Sequence, residues 1–494
     1  MLKVTAKDFG PIVEGTVELK PLTIFVGPSN TGKSYMATAV HAVVNSLNGY
    51  GMFPNVRRAF WQRHIIGVDR LWDIPDEGSS AEKAALDWAE SINEGQAVPA
   101  NPRVSDAPPS VRDELNNSAL QAIETFQRDA LEYIDRVFGG NGSFIRTTGD
   151  RSNFQLQIYR KNPLLHSTIE LDIGDRHPEV DITQAVIDPL PDIIGEEFLV
   201  GRDELDIVTF DEVYSRWIGY INDVILSGFP PESFYFPAAR SGISQAYKVI
   251  GAELVRQSAP NRGNSPAAHL WLGTISEFVS NLIGLDRRRL RGSRPIELGD
   301  PIGFFEAQVV KGKIDMDESS ELPLPDIVYV PKWSEADKFT LNQTSSMVSE
   351  LAPIILFLKH LVRPGDLLIL EEPESHLHPA AQRQMARGIV RLVNAGMKVL
   401  ITTHSDYFLN QVNNLLRISH ANEQWLEQHG FDRADCLQRE DVSAYLFRWD
   451  DNEGGSLIEE LTIRPDVGID DDEFGKVVND QYEETILVEG IPLK

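Results

Sequence analysis

Residues 22–34 read LTIFVGPSNTGKS, and the rest of the fold follows from them. LTIFV is an unbroken apolar run, which describes a strand buried on both faces, as in a parallel sheet. Gly27-Pro28-Ser29-Asn30-Thr31-Gly32-Lys33-Ser34 then satisfies G-x-x-x-x-G-K-[ST]. Glycine is required where backbone N–H groups curl inward around phosphate. Lys33 is placed to reach β- and γ-phosphates, and the Ser34 hydroxyl to ligate Mg²⁺ at a helix N-terminus. The following YMATAVHAVVNSL has helical spacing. Strand, phosphate loop and helix are therefore expected in that order, with ATP and Mg²⁺ as ligands.

Downstream, LLILEEPE (367–374) is a second buried strand, and it ends in acids. A carboxylate at the C-terminal end of a core strand lies beside a phosphate loop, so Glu371 is expected in the magnesium shell. Glu372, one residue on, is expected to polarise the attacking water. The next strand, KVLITTHS, ends at His404, whose imidazole is placed to bond the γ-phosphate and sense its loss. Between these strands lie helical patterns at 345–363 and 382–396, the latter closed by Gly396. Strands alternating with helices predict an α/β fold around a parallel sheet.

Residues 2–9 and 12–19 alternate around Gly10-Pro11, which predicts an N-terminal β-hairpin subdomain. From 51 to 233 the pattern is mixed. Ser79-x-x-Glu82 reads as a capping box, Leu120, Ile123, Ala130, Ile134 and Val137 as a helical stripe, and NFQLQIYRK and STIELDI as strands. This segment is expected to be an inserted mixed α/β lobe. The head is then discontinuous, 1–50 and 234–420, followed by an acidic α/β extension over 421–494. From Pro465 to Lys494 there are nine acids against two lysines.

The chain has 494 residues, with 46 Lys plus Arg against 74 Asp plus Glu, a formal charge of −28. That charge repels bare nucleic acid unless positive residues gather locally. They do so once: Arg287–Arg294 holds five arginines in eight residues, suited to DNA or RNA phosphates, or else to a solvated edge or an acidic partner. One cysteine, Cys436, excludes an internal disulfide framework and fits a reducing cytoplasm. No apolar run approaches eighteen residues and the N-terminus has no secretory core, so a cytoplasmic chain without membrane contact is expected.

GPSNTGKS, the strand ending in EEPE, the SHLHP after it and TTHSDYFLNQ together resemble the ABC-type P-loop ATPase head shared by SMC-like, RecF-like and OLD-family proteins. They are most similar to stand-alone bacterial relatives labelled AAA-family ATPases. The resemblance covers about residues 1–45 and 340–415, with FPAARSG. It implies a homodimer or higher even oligomer that closes around ATP, each nucleotide held also by the partner's signature loop. Thr344-Ser345-Ser346-Met347-Val348-Ser349-Glu350 occupies the signature position, where Ser345 and Ser346 supply hydroxyls and Met347 stands in place of the usual glycine. By the same resemblance His376 and His378 lie in the loop that crosses to the other active site, and Arg240 contacts nucleotide or the dimer partner. Gln245 is a candidate for the Q-loop glutamine.

OLD-family chains often carry a C-terminal nuclease domain. The residues after His404 show no buried strand ending in Glu followed by a D-x-D pair, so any effector is expected on a separate chain. The resemblance implies a nucleotide-gated switch for an effector, a nuclease or toxin, in defence against phage. The alternative is a RecF-like ATPase that binds DNA through Arg287–Arg294.

Overall fold

The structure, a computed structural model, describes residues 2–49, 109, 137–138, 152–159, 166–173, 230–257, 273–290, 299–317, 326–334, 336–464, 467–470, 480, 482–486 and 488. The capping box at Ser79 and the stripe from Leu120 to Ile134 lie outside these residues. So do the residues of the arginine run after Leu290.

The chain opens with the expected hairpin, β1 (Leu2–Phe9) and β2 (Ile12–Leu19), followed by β3 (Leu22–Val26), the phosphate loop and α1 (Lys33–Gly49). β4 (Ser152–Tyr159) and β5 (His166–Ile173) pair antiparallel. Then come β6 (Ser233–Phe236), α2 (Arg240–Gln257), α3 (Gly273–Leu290), α4 (Gly299–Phe304) and a π-helical turn, Phe305–Val310. A small antiparallel sheet of β7 (Gly312–Asp317), β8 (Asp326–Pro331) and β9 (Phe339–Thr340) precedes α5 (Ser346–His360). The alternating part follows: β10 (Leu367–Glu371), α6 (Pro379–Asn394), β11 (Lys398–Thr403) and α7 (Asp406–Arg417). After α8 (Glu423–Gln428) the chain returns to the sheet as β12 (Val442–Asp450) and β13 (Gly455–Glu460).

The main sheet runs β5-β4-β1-β2-β13-β12-β3-β11-β10-β6. From β12 to β6 every pairing is parallel, and β3 and β10 are buried along their whole length, as continuous apolar runs require. Their register is level: Glu371 pairs with Thr402, Thr403 with Val26, and Leu370 with Phe236. The segments that leave β3, β10, β11 and β6 therefore emerge at one sheet edge, where open α/β sheets place their ligands.

Two expected boundaries move. Residues 442–460, expected in a separate C-terminal extension, lie within the main sheet between β3 and β2. Tyr445 and Ser443 fasten this hairpin to the N-terminal one, the Tyr445 hydroxyl accepting from Glu18 N–H at 2.7 Å and Ser443 Oγ donating to Glu18 O at 2.9 Å. β4 and β5, expected in the inserted lobe, extend the same sheet by pairing antiparallel to β1 and to each other. Backbone N–H and C=O groups along a strand edge must be paired, and these strands supply the partners.

α5 is a core helix over most of its length: Leu351, Ala352, Ile354, Ile355, Leu356, Phe357 and Leu358 are each fully buried. Phe357 sits among Phe234, Phe236 and Phe278 at centroid distances of 6.1, 5.0 and 5.7 Å. Behind α6, Arg391 donates to Asp435, Asp432 and Asp300 and lies 4.3 Å from the Phe304 ring, which joins α4 and the Arg433–Asp435 turn to α6. Phe357→Ala should destabilise the protein by about 3–5 kcal/mol through the cavity it leaves. Chemical unfolding of the two proteins side by side measures this.

Candidate functional site

The loop after β3 has the backbone its motif demands. Gly27 (φ +132°), Asn30 (φ +65°) and Gly32 (φ +92°) all have positive φ. A Cβ on Gly27 would stand 2.3 Å from the Phe447 carbonyl oxygen, so the incoming β12 hairpin leaves room there for glycine only. Pro28, Ser29 and Asn30 are exposed at the tip, and Ser34 is exposed on the first turn of α1. The N–H groups of that turn have no intrahelical acceptor and carry the positive end of the helix dipole.

Lys33 is only 5 % exposed. Its ammonium donates to the carbonyls of Gly27 at 2.8 Å and Pro28 at 2.5 Å, folded back against its own loop. Burial lowers its pKa to about 8, against the pull of Glu372, Glu374 and Glu371. A phosphate entering the loop would take over from those carbonyls as partner of the charge.

Glu371 ends β10 and is 8 % exposed. One carboxylate oxygen accepts the Ala238 N–H at 3.0 Å, while the other is buried without a hydrogen bond among the described residues. An unpartnered carboxylate oxygen beside a phosphate loop is what a hard divalent cation needs, with Ser34 as the second protein oxygen. The described residues hold no cluster of three or more His, Cys, Asp or Glu able to bind a metal. Magnesium would accordingly take its remaining ligands from phosphate and water, as that ion prefers. Burial, and after it the Glu371 charge, pushes the neighbouring Tyr235 phenol well up, so it stays protonated.

Glu372 leaves the strand in the left-handed region (φ +42°). Its Oε1 lies 3.3 Å from His404 Nε2, and its Oε2 accepts from Ser375 Oγ at 2.9 Å. The His404 hydrogen bond holds its pKa at about 2 against the opposing effect of burial, with help from Ser375 and Lys33. A carboxylate held so low takes up protons poorly. It suits a group that orients and polarises water by accepting its hydrogen bond.

Glu374 was not among the expected site residues, yet it sets His404 in place. It is 7 % exposed, and its Oε1 accepts from Thr403 Oγ1 at 2.7 Å and from the His404 backbone N–H at 2.9 Å. The signal was visible in EEPE, whose third acid has no reason to face the core unless it meets donors there. Burial raises its pKa.

Ser345 caps α5, its Oγ accepting the Val348 N–H at 3.5 Å, and both Ser345 and Ser346 are exposed. They stand on a different element from the phosphate loop. Met347 packs against the core. Gln245 lies on α2 and donates to Ser349 Oγ at 3.1 Å. Arg240 corrects the expectation of a nucleotide or partner contact: it is 0 % exposed, so neither can reach it. His378 accepts the Ala380 N–H and caps α6, whereas His376, 57 % exposed, lies 3.6 Å from Glu350. For Arg287–Arg289, at the end of α3, only the backbone is described.

Solved structures similar to this chain include SMC head domains. The SmcHead bound to the C-winged helix domain of ScpA is 11 % identical with a TM-score of 0.38, covering 93 % of this chain and 97 % of that one. The SMC head domain from Thermotoga maritima is 9 % identical with a TM-score of 0.33, covering 93 % and 98 %. The Smc head with an extended coiled coil, bound to the C-terminal domain of ScpA derived from Pyrococcus furiosus, is 11 % identical with a TM-score of 0.37, covering 98 % and 100 %. No curated protein matches. A family described as AAA ATPase domain matches residues 302–409, a span that holds the α5 cap, both β10 acids and His404. The phosphate loop lies outside that span and reaches it through the β3–β11 pairing. The phosphate-loop motif and the stretch that matches an AAA ATPase domain thus lie in one α/β sheet.

Proposed function

We propose that this head binds Mg²⁺-ATP and hydrolyses it, and that it works as a nucleotide-gated dimeric switch for an effector on a separate chain. The observation that carries the reading is the convergence of three segments on one sheet edge. The Gly27–Ser34 loop, Glu371-Glu372 and His404 leave the adjacent parallel strands β3, β10 and β11 at level register. Gly27 to Ser34 would hold the triphosphate. Ser34 and Glu371 would hold magnesium, Glu372 would align water, and His404, joined to Glu372, would report whether the γ-phosphate is present.

Ser345 and Ser346 supply the case for a dimer. Exposed hydroxyls at the start of a buried helix can meet a phosphate held by a second subunit, whose positive helix end they then share. A switch needs two states with unequal affinity for what it controls. We place the effector in the class of nucleases or toxins and the setting in defence against phage. A RecF-like DNA-binding ATPase would show itself as salt-sensitive, DNA-stimulated turnover. Among the described residues no helix is long and apolar enough to cross a membrane.

Lys33→Ala should abolish ATP binding. Glu372→Gln should bind ATP with parental affinity, lose turnover by about a hundredfold or more, and accumulate an ATP-dependent dimer on size exclusion. Adding Ser345→Ala and Ser346→Ala to the trapped protein should return it to monomer. Parental turnover in Glu372→Gln removes that residue from the chemistry.

ATP affinity should depend on pH through Lys33. In the free protein its pKa is depressed to about 8, and bound phosphate would raise it, so the charged form binds more tightly. Affinity should be level below pH 8 and fall by up to about tenfold per unit above it. Titrating a fluorescent ATP analogue between pH 7 and 9.5 tests this, and a flat profile would reject it.

With native-host extract as the source, Glu372→Gln and Lys33→Ala baits should recover a second protein in unequal amounts. Equal recovery would count against gating.

A further inference from the structure

Arg240 is a buried cation to which the proposed chemistry gives no task. Arg240 opens α2 directly after β6, with its side chain 0 % exposed. Its Nη1 donates to the Glu371 carbonyl at 2.6 Å and to the Pro237 carbonyl at 3.2 Å, and its Nη2 donates to the Glu372 carbonyl at 3.2 Å. On the other side Nε lies 2.9 Å from Glu350 Oε2, an ion pair off the hydrogen-bond line. Glu350 is 1 % exposed on α5, the helix capped by Ser345, and its Oε1 is 3.6 Å from the exposed His376. One guanidinium therefore touches the end of β6, the turn out of β10 and the helix behind Ser345-Ser346.

A buried ion pair kept for stability alone is a poor device, since well-packed apolar side chains serve as well or better. Apolar side chains have nothing to offer the carbonyls of Glu371 and Glu372. Those carbonyls leave the sheet where β10 ends, at a non-glycine residue in the left-handed region, a conformation that persists only where its surroundings hold it. The planar fork of a guanidinium can hold both carbonyls and still present Nε to a carboxylate; the ammonium of lysine cannot. The main chain so held carries the two side chains expected to hold magnesium and align water.

We propose that Arg240 is a positioning residue for hydrolysis: it fixes the main chain beneath Glu371 and Glu372 and, through Glu350, ties it to the helix that begins at Ser345-Ser346. This rests on the hydrolysis proposed above. Closure of a partner on Ser345 and Ser346 would then press on α5 and reach the catalytic turn through Glu350 and Arg240. His376 offers the same carboxylate a second contact from the loop beyond β10.

The test compares wild type, Arg240→Lys and Glu350→Gln for ATP affinity with a fluorescent analogue, for KM and kcat, and for melting temperature. Arg240→Lys should keep ATP affinity within about twofold and lose about ten- to a hundredfold in kcat, because the turn shifts while the phosphate loop does not. Glu350→Gln, which is isosteric, should lose about three- to tenfold in kcat at unchanged affinity. Neither loss should recover at reduced temperature in a stabilising osmolyte, conditions that would restore a merely unstable protein. Parental kcat in either folded variant overturns the proposal, as does a loss of kcat that the osmolyte restores. Should Arg240→Lys not fold, Glu350→Gln decides alone. Wild type that hydrolyses no ATP overturns the hydrolysis reading itself, a result distinct from equal turnover in wild type and variants.

Discussion

Level register across four parallel strands is the constraint on which the rest depends. β3, β11, β10 and β6 end in step, so a glycine loop, a pair of acids, a histidine and an arginine-bearing turn meet, although the sequence scatters them from residue 27 to residue 404. A slip of one residue in β10 would turn Glu371 and Glu372 to opposite faces and leave Lys33 with the wrong neighbours. The apolar runs LTIFV and LLILE are buried along their whole length, and the loop and acids follow directly where they stop.

Charge gives the site its second constraint. Lys33 and Arg240 face Glu350, Glu371, Glu372 and Glu374, so the acids outnumber the bases before any nucleotide arrives. Adding a triphosphate to that set is unfavourable unless a divalent cation comes with it. The cost is lessened locally by placing three of the four acids on donors: Glu371 on Ala238, Glu372 on Ser375 and His404, Glu374 on Thr403 and the His404 N–H. Lys33 keeps its charge weakly in the free state because burial works against it, and a bound phosphate would relieve that strain.

The parts written in local pattern were legible before the structure. The phosphate loop, β10, β11 and the N-terminal hairpin are each read from a run of neighbours, and Glu371, Glu372 and His404 stand where such runs stop. Order within the sheet was not legible. β2 and β3 are separated in sequence only by Lys20 and Pro21, yet β12 and β13 lie between them in the sheet, a pairing across more than four hundred residues that no window of pattern contains. VSAYLFRWD forms β12, and Tyr445 and Ser443 fasten it where they meet Glu18. Arg240 misled for another reason. Arginine is by default a surface residue, and nothing beside it in PAARSG declares Glu350, its partner 110 positions away. The hint lay in α5, where a carboxylate interrupts an otherwise apolar helix.

Backbone strain links these observations. Among the described residues, five that are not glycine have positive φ, and three of them, Asn30, Glu372 and His376, lie on the loops that leave β3 and β10. Each such residue costs on the order of 1 kcal/mol, so each must be held by contacts that a relaxed turn would lose. Asn30 stands in the phosphate loop, closed from behind by the Phe447 carbonyl against Gly27. Glu372 is held by its N–H to the Thr402 carbonyl at 3.0 Å and by Arg240 on its own carbonyl. His376, exposed, has Glu350 within reach of its ring. Two of the three strained positions thus depend on the same buried pair, Arg240 and Glu350. A small movement of α5 would act on both together, and they are the positions that aim the carboxylate proposed to align water and carry the loop proposed to face a partner.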